Sequence, residues 1–357
     1  PVATVGSLTM DMAEEIIAEN KADMVAMIRS IIADPDCVKK AREGRADDIR
    51  PCVRCNRCPS DTREYTRPTR CSVNPVAGRE VEFLSPHAPA GKRKIVVIGG
   101  GPGGMEAART AAERGHDVVV FEKDSQLGGA LVAASSLPFK NDMKQYLDWA
   151  RRTTAKTPNI DIRLSTEATV DAVSAESPDV LVIAVGGSPA VPPVPGIDRE
   201  NVVWAGGVDL GRVEVGRTVL VVGAGLMGCE AALHLAQSGK RVTVIDALPL
   251  EQIASDVHPI SRTALLGMLQ DALVEMKTET ALEAVTDSGA VVRGGDGNRF
   301  EIPCDSVVLA AGVTPRSDLV ERFERLADEV HVIGDCRRER GDLRRAVTDG
   351  FNAAVDI

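Results

Sequence analysis

Aromatic residues and long apolar runs are scarce in this sequence. Six Phe, two Trp and two Tyr stand among 357 residues, whereas glycine occurs 32 times. This balance favours a parallel α/β fold with glycine-rich loops over an all-β sandwich. No apolar run reaches the roughly 18 residues that a membrane-spanning helix needs, and the N-terminus lacks the basic and then apolar pattern of a signal peptide. We therefore expect a cytoplasmic protein with no membrane partner.

Positive charge is also scarce, apart from one stretch. The net charge is −10, and nucleic acid is not an expected partner because phosphate contacts need a basic face. Residues 37–79 depart from this balance, with eleven Lys or Arg against five Asp or Glu. Clustered cysteines in a cytosolic protein indicate a metal site before a disulfide. The cysteines that cluster in this stretch are Cys52, Cys55, Cys58 and Cys71.

The first 48 residues read as a short β-α-β-α fragment. The β-like residues 1–5 end at Gly6-Ser7, and a second short strand is predicted at 22–27 after an amphipathic helix. Two parallel strands do not form an independently stable sheet, because parallel sheets need several strands and cover on both faces. We expect either a segment before the first residue or packing of this fragment on the later domains.

One strand–loop–helix–strand unit occurs twice, 124 residues apart counted from Gly99 to Gly223. Each loop matches G-x-G-x-x-G, and an acidic residue follows 18 positions after the third glycine. In such a unit the helix N-terminus binds a pyrophosphate, and the carboxylate accepts hydrogen bonds from a ribose. A tight turn that binds nothing is the alternative, which this context disfavours. The predicted binding residues are Gly99, Gly101, Gly104 and Glu122 in the first repeat, and Gly223, Gly225, Gly228 and Asp246 in the second.

The residues around Asp246 bear on which nicotinamide cofactor binds the second repeat. The sequence continues Ala-Leu-Pro-Leu, without an Arg or Lys to receive a 2′-phosphate. Lys240 and Arg241 lie at the opposite end of the predicted strand. NAD(H) is therefore expected at this repeat rather than NADP(H).

The spacing Cys-x2-Cys-x2-Cys-x12-Cys predicts either an iron–sulfur cluster or a structural zinc site. A compact triplet can hold one corner of a [4Fe-4S] cubane while the fourth thiolate arrives from a loop, whereas zinc ribbons usually pair two Cys-x2-Cys knuckles. The four-thiolate cluster is negatively charged, which nearby arginines would favour; the alternative for those arginines is a solvated basic surface. Iron–sulfur is the preferred interpretation, and zinc is kept as the alternative. The arginines are Arg54, Arg57, Arg63 and Arg67.

The whole chain resembles the C-terminal part of the iron–sulfur flavoprotein branch of the Old Yellow Enzyme superfamily. That branch includes 2,4-dienoyl-CoA reductase, 2-enoate reductase and trimethylamine dehydrogenase. Its members join an FMN-bearing (β/α)8 barrel, a [4Fe-4S] segment and a glutathione-reductase-like FAD/NAD(P) region. Residues 2–7 and 22–35 resemble the last two barrel strands, and the cysteine spacing matches the trimethylamine dehydrogenase form. The motif at 72–75, Ser-Val-Asn-Pro, is also similar to the family.

The resemblance implies an α/β fold in five parts: the last two βα units of an incomplete FMN barrel (1–48), a loop-rich [4Fe-4S] segment and linker (49–90), the first part of an FAD domain (91–198), an NAD(H) domain (199–312) and the rest of the FAD domain (313–357). Both nucleotide domains would be Rossmann-like. ADP in place of FAD is the alternative, as in trimethylamine dehydrogenase. The resemblance also implies further cofactor contacts. They are Lys123 and Gly129 at the FAD site, Gly334 and Asp335 at the flavin ribityl chain, Gly312 in the NAD(H) domain, and Gly6, Ser7 and Arg29 in the FMN region.

The chain departs from the family pattern in three respects. Ser7 stands where the family often has Arg, and Ile28 stands where Gly or Ala is common. Six of the eight barrel strands are not in this sequence, so we expect a fragment that does not hold FMN tightly alone. A disulfide reductase of the thioredoxin or glutathione type is not expected, because neither nucleotide helix carries paired cysteines.

These expectations combine into an electron-transfer oxidoreductase that acts on a small-molecule substrate. NADH would reduce FAD, and electrons would pass through the [4Fe-4S] cluster to FMN in an intact barrel for reduction of an enoate-type C=C bond. No catalytic side chain is predicted, because the flavin reaction depends on stacking and orientation. The alternatives are an amine dehydrogenase that holds ADP structurally, and a truncated nucleotide-binding remnant without activity. The sequence predicts no oligomeric state.

Overall fold

The computed structural model describes residues 1–83, 91–255, 257–337 and 341–357. The linker predicted at the end of the [4Fe-4S] segment, residues 84–90, lies outside the described residues. The chain forms two compact units. The first unit comprises the described residues of 1–135, 140–186 and 315–357, and the second comprises those of 136–139 and 187–314.

The described residues form short strands and helices in alternation through most of the chain. No helix among them is long and apolar enough to cross a membrane. The strands are β1 (Ala3–Val5), β2 (Met24–Ala26), β3 (Lys94–Ile98), β4 (Asp117–Phe121), β5 (Ile160–Arg163), β6 (Val180–Ile183), β7 (Gly187–Pro189), β8 (Val202–Trp204), β9 (Thr218–Val222), β10 (Arg241–Ile245), β11 (Glu275–Lys277), β12 (Ala281–Val285), β13 (Gly289–Arg293), β14 (Arg299–Pro303), β15 (Ser306–Leu309), β16 (Val313–Pro315) and β17 (Glu329–Val332). The helices are α1 (Met10–Ala18), α2 (Ile28–Ala33), α3 (Cys37–Arg42), α4 (Arg57–Arg63), α5 (Pro102–Glu113), α6 (Leu131–Ala134), α7 (Asn141–Lys156), α8 (Val170–Ala175), α9 (Ala205–Asp209), α10 (Leu226–Gln237), α11 (Pro259–Asp271), α12 (Ser317–Phe323) and α13 (Leu343–Val355).

The first unit is built on a parallel sheet in the order β17-β6-β3-β4-β5. β6 is buried along its whole length, and β3 is buried from its second residue onward. Apolar runs of this kind are typical of central parallel strands that helices cover on both faces. Residues of α5, α7 and α13 pack on one face, and residues of α8 and α12 pack on the other.

Helices α5 and α13 cross closely because each carries a glycine at the contact. A Cβ on Gly350 would overlap the carbonyl oxygen of Gly103, and a Cβ on Gly103 would lie 2.9 Å from the carbonyl oxygen of Ala346. The stretch of α13 from Ala346 to Gly350 is therefore held beside the first turn of α5, next to the first glycine-rich loop.

The second unit has the same type of sheet. Its strands are parallel in the order β11-β10-β9-β15-β8. Helices α10 and α11 pack on one face, and the antiparallel strands β12, β13 and β14 cover the other with side chains such as Val292 and Ile302. β7 and β16 form a separate two-stranded sheet. The prediction of an α/β fold with two Rossmann-like repeats is confirmed.

The N-terminal fragment pairs β1 with β2 in parallel, with Ala3 opposite Met24. The side chains of Val5 and Met24 are 64% and 56% exposed. The predicted β-α-β-α order is present, whereas the described residues contain no further strand of a barrel.

The cysteine segment is loop-rich as predicted, with one helix that the sequence pattern did not indicate. Helix α4 begins at Arg57, and Pro59 is its third residue. Proline is tolerated in a first turn because the N–H groups there have no partner within the helix. The helix therefore starts inside the cysteine motif and carries Cys58 in its first turn.

Candidate cofactor-binding sites

The first glycine-rich loop joins β3 to α5. Gly99 has φ +103°, a left-handed conformation that favours glycine, and a Cβ there would overlap the carbonyl oxygen of Ala184. A Cβ on Gly104 would overlap the carbonyl oxygen of Gly99. Gly101 is the N-cap of α5, and a Cβ on it would meet no atom within 4 Å. The loop therefore packs tightly at its ends and leaves space at Gly101, where a phosphate can approach the helix N-terminus.

Glu122 follows β4 and lies against this loop. The residue is 5% exposed. Its Oε2 accepts a hydrogen bond from the backbone N–H of Gly100 at 2.8 Å, and its Oε1 accepts one from the backbone N–H of Asp124 at 2.9 Å. Each carboxylate oxygen has a second lone pair, so either can also accept a hydrogen bond from a ribose hydroxyl.

A second turn packs against the first loop. The backbone N–H of Gly128 donates to the carbonyl of Gly100 at 2.8 Å. Gly129 has φ +51°, and a Cβ on it would lie 3.1 Å from the Cα of Gly101. Gly129 is thus next to the predicted phosphate site, while Lys123 is exposed at the surface.

The second glycine-rich loop, between β9 and α10, repeats the geometry of the first. Gly223 has φ +105°, and a Cβ there would overlap the carbonyl oxygen of Ala310. A Cβ on Gly228 would overlap the carbonyl oxygen of Gly223. Gly225 caps α10 with φ −67° and ψ −179°, against −69° and −178° at Gly101. Equivalent residues of the two loops therefore have the same backbone conformation.

Asp246 contacts the second loop at the end of β10. Its Oδ2 accepts a hydrogen bond from the backbone N–H of Ala224 at 2.6 Å, and its Oδ1 accepts one from Leu248 N–H at 2.8 Å. Lys240 lies at the start of the same strand, where its Nζ donates to the carbonyl of Val215 at 2.9 Å. Lys240 is therefore bonded away from Asp246.

The remaining predicted nucleotide contacts follow strand ends. Gly312 comes after β15 with φ +98°, and its carbonyl accepts a hydrogen bond from Ala190 N–H at 2.9 Å. Gly334 comes after β17 with φ +69°. Oδ1 of Asp335 accepts a hydrogen bond from Gly341 N–H at 3.2 Å. Because β17 and β3 are parallel strands of one sheet, Asp335 and the first loop lie at the same sheet edge, where α/β folds bind ligands.

The four cysteines of the predicted metal site surround one space in the first unit, which we call the cysteine cavity. Among the described residues, no three His, Cys, Asp or Glu side chains are close enough to hold a single metal ion. The polar and thiol side chains that line the cavity are Arg29, Cys52, Cys55, Asn56, Cys58, Cys71 and Ser72.

Two left-handed residues turn the chain between the first three cysteines. Arg54 has φ +50° and Asn56 has φ +57°. The side-chain oxygen of Asn56 accepts a hydrogen bond from Nη1 of Arg29 at 2.8 Å, and the backbone N–H of Arg54 donates to Sγ of Cys52 at 3.4 Å. A residue of the N-terminal fragment thus supports the turn between Cys55 and Cys58.

Three of the cysteine thiols in the cavity have a raised pKa. Burial raises the pKa of Cys52, Cys58 and Cys71, and the charge of neighbouring thiols raises it further. For Cys58 the pKa reaches about 12. Such thiols are poor nucleophiles, and they bind a metal only by releasing their protons to it.

Two arginines predicted beside the cysteines form ion pairs with the rest of the first unit. Nη1 of Arg54 lies 3.2 Å from Oδ1 of Asp142, and Nη2 of Arg57 lies 3.2 Å from Oδ2 of Asp342. Asp142 is in α7, and Asp342 is the N-cap of α13. These contacts join the cysteine segment to the first nucleotide domain, a role that the sequence did not indicate for these arginines.

The three residues expected in the FMN region follow the paired strands β1 and β2. Gly6 is exposed, and the carbonyl of Ser7 accepts a hydrogen bond from Nη2 of Arg54 at 3.1 Å. Arg29 lines the cysteine cavity, a location that the sequence did not indicate. Sequence reasoning also missed Asn56 and Ser72 as cavity residues, although each adjoins a cysteine in the chain.

Comparison with known proteins matches the N-terminal fragment and the nucleotide-binding part of the chain to protein families. The family described as "Pyridine nucleotide-disulphide oxidoreductase" matches residues 93–350. The chain belongs to this family. The "NADH:flavin oxidoreductase / NADH oxidase family" matches residues 1–48. The two matches, together with the relatives below, confirm the resemblance to the C-terminal part of the iron–sulfur flavoprotein branch of the Old Yellow Enzyme superfamily.

Similar proteins are oxidoreductases. The chain is 38% identical over 364 residues to an NADH oxidase from Thermoanaerobacter brockii, covering 100% of this chain and 55% of the relative. It is 30% identical over 359 residues to a cinnamate reductase from Clostridium sporogenes, covering 100% and 53%. A solved structure of 2-naphthoyl-CoA reductase with 2-naphthoyl-CoA matches with a TM-score of 0.94 at 33% identity, covering 100% of this chain and 54% of that one. The chain spans about half the length of the curated relatives that it matches, and the predicted membership of a flavin oxidoreductase family is confirmed.

Proposed function

We propose that this chain passes electrons from NADH through FAD and a [4Fe-4S] cluster to FMN, for the reduction of an enoate-type C=C bond. The observation that carries the proposal is the presence of the cysteine cavity and a dinucleotide loop in one unit, with an equivalent loop in the other. The names of two relatives support the substrate class, since cinnamate is an enoate and 2-naphthoyl-CoA is an unsaturated acyl thioester.

We assign FAD to the first loop and NADH to the second. The open space at Gly101 admits the pyrophosphate of FAD, and the free lone pairs of Glu122 receive its ribose. Asp246 has the same free lone pairs for the ribose of NADH. Its negative charge also repels a 2′-phosphate, which favours NADH over NADPH.

The cysteine cavity fits a [4Fe-4S] cluster better than a single zinc ion. Zinc ribbons usually pair two Cys-x2-Cys knuckles, whereas here a compact triplet of cysteines and a fourth cysteine from farther along the chain line one space. The bound flavin and cluster together would convert the two-electron chemistry of NADH into single-electron transfers. The guanidinium of Arg29 adds positive charge to the cavity wall, which suits a negatively charged cluster.

The chain itself contributes binding and orientation to this function. The glycine loops present backbone N–H groups at the starts of α5 and α10, where the helix dipoles favour phosphate. The ion pairs of Arg54 and Arg57 hold the cysteine segment against the first nucleotide domain. No side chain is assigned as an acid or base, because the transfer from NADH to a flavin depends on how the two rings are held.

A polypeptide of these 357 residues, purified anaerobically and saturated with FAD, tests the proposal. We expect NADH-dependent reduction of ferricyanide, because both nucleotide folds are present. We expect no turnover of 2-enoates and no stoichiometric FMN, because two strands do not build the flavin-binding mouth of a (β/α)8 barrel.

Two outcomes would contradict the proposal. Protein with bound FAD that oxidises no NADH would support the amine dehydrogenase alternative or the inactive nucleotide-binding remnant. Extraction of ADP instead of FAD from protein to which no FAD was added would support the amine dehydrogenase alternative alone.

A further inference from the structure

A buried hydroxyl lies against one of the four cysteines. Oγ of Ser72 is 3.2 Å from Sγ of Cys55, and Ser72 is 5% exposed. Both residues line the cysteine cavity. A hydroxyl withdrawn from water is costly unless it keeps a hydrogen-bond partner, so this contact has a physical reason to persist.

We propose that Ser72 donates a hydrogen bond to the Cys55 thiolate and thereby raises the reduction potential of the cluster that the cysteine cavity holds. The inference rests on the proposed function, because it requires a [4Fe-4S] cluster in the cavity. Ser72 would act as a positioning and tuning residue, since it contacts a ligand rather than the iron.

The direction of the hydrogen bond follows from the chemistry of a ligand sulfur. A thiolate bound to iron has no proton and can only accept, whereas the serine hydroxyl has one proton to donate. Addition of an electron to the cluster increases the negative charge on its sulfurs. A donor at Cys55 therefore stabilises the reduced form more than the oxidised form, which raises the potential.

Backbone groups also donate hydrogen bonds to two of the cysteines. The N–H of Arg54 donates to Sγ of Cys52 at 3.4 Å, and the backbone at Val73 and Asn74 lowers the pKa of Cys71 against the effect of its burial. A substitution leaves backbone donors in place. The hydroxyl of Ser72 is a donor that a single substitution removes, which makes its effect measurable.

The experiment compares Ser72→Ala with a matched control, Ser60→Ala. Ser60 is 3% exposed and lies in the same segment, but its hydroxyl donates to Oε2 of Glu64 at 2.8 Å. Iron content and the midpoint potential, from a redox titration followed by electron paramagnetic resonance, are measured anaerobically. We expect full iron in both variants, a lower potential in Ser72→Ala and an unchanged potential in Ser60→Ala.

A second pair of variants separates the hydroxyl from the shape of the side chain. Ser72→Thr keeps the donor and Ser72→Val removes it, with side chains of nearly equal shape. We expect the midpoint potential of Ser72→Thr to be close to that of the unmutated protein. The potential of Ser72→Val should be lowered, as in Ser72→Ala.

The outcomes separate this inference from the proposed function. Equal potentials in iron-loaded Ser72→Ala, Ser72→Val and unmutated protein would overturn the inference and leave the cluster assignment intact. Loss of iron from both variants, with Ser72→Thr still loaded, would also overturn it, because the hydroxyl would then be needed for assembly rather than for the potential. Absence of iron from the unmutated protein would contradict the cluster assignment itself.

Discussion

Glu122 Oε2 accepts a hydrogen bond from the backbone N–H of Gly100 at 2.8 Å, across 22 residues of chain. The second repeat forms the same bond between Asp246 and Ala224, at 2.6 Å and with the same separation. A bond from a backbone N–H to a carboxylate is charge-assisted and stronger than a neutral one. Each acidic residue therefore stabilises the shape of its glycine loop in addition to the ribose contact proposed for it.

Removal of the Glu122 carboxylate is expected to weaken FAD binding. Glu122→Ala deletes the bonds to Gly100 and Asp124 together with the ribose acceptor, at a cost of about 1–3 kcal/mol. Measurement of the FAD dissociation constant should show a loss of affinity of roughly 5- to 150-fold. Glu167→Ala, at an exposed residue of the same unit, should bind FAD normally. Equal affinity in the two variants would show that Glu122 does not contribute to FAD binding.

Asp246 is expected to set the preference for NADH. Asp246→Ala removes both the ribose acceptor and the repulsion of a 2′-phosphate, a combined effect of roughly 1–3 kcal/mol on the NADH-to-NADPH ratio of kcat/KM. Stopped-flow reduction of bound flavin by each nucleotide measures this ratio. Asp271→Ala, at an exposed residue of the same unit, serves as the control. Equal or better use of NADPH by the unmutated protein would show the assignment to be wrong.

The metal assignment predicts a measurable iron content. Anaerobically purified protein should be brown and should contain about four iron atoms per chain, the content of a [4Fe-4S] cluster. Cys58→Ala removes a thiol from the cysteine cavity and should lose the iron. Cys37→Ala should retain it, because Cys37 is fully buried in α3 and is not a lining residue of that cavity. Stoichiometric zinc without iron would instead support the structural zinc alternative.

The ion pair between the buried Asp61 and the partly exposed Arg344 is expected to stabilise the first unit. Asp61 is 6% exposed, and its Oδ2 lies 3.0 Å from Nη1 of Arg344. Arg344→Ala leaves this buried carboxylate without its cation, which should cost about 1–3 kcal/mol. Thermal unfolding should show a lower Tm. Arg45→Ala breaks a surface pair with Glu43 and should leave the Tm unchanged. An equal drop in the Tm of both variants would show that burial of Asp61 does not make its ion pair more stabilising.

The sequence was sufficient to predict the two dinucleotide repeats. Gly99 must be glycine because its φ is left-handed, and Gly104 must be glycine because it packs against the carbonyl of Gly99. Both requirements arise within one short loop. The position of Glu122 follows as well, because the strand that carries it pairs in register with the strand before the loop. Spacing alone therefore predicted these residues, since local geometry imposes them.

The wall of the cysteine cavity was not predictable in the same way. The spacing identified the four cysteines, but Arg29 reaches Asn56 across 27 residues and Arg57 reaches Asp342 across 285. No periodicity or motif connects residues so far apart in the chain. The sequence by itself determined the two nucleotide loops and the set of thiols. Only the tertiary structure decided which side chains surround those thiols and which hydroxyl contacts Cys55, because such contacts depend on how separate segments pack together.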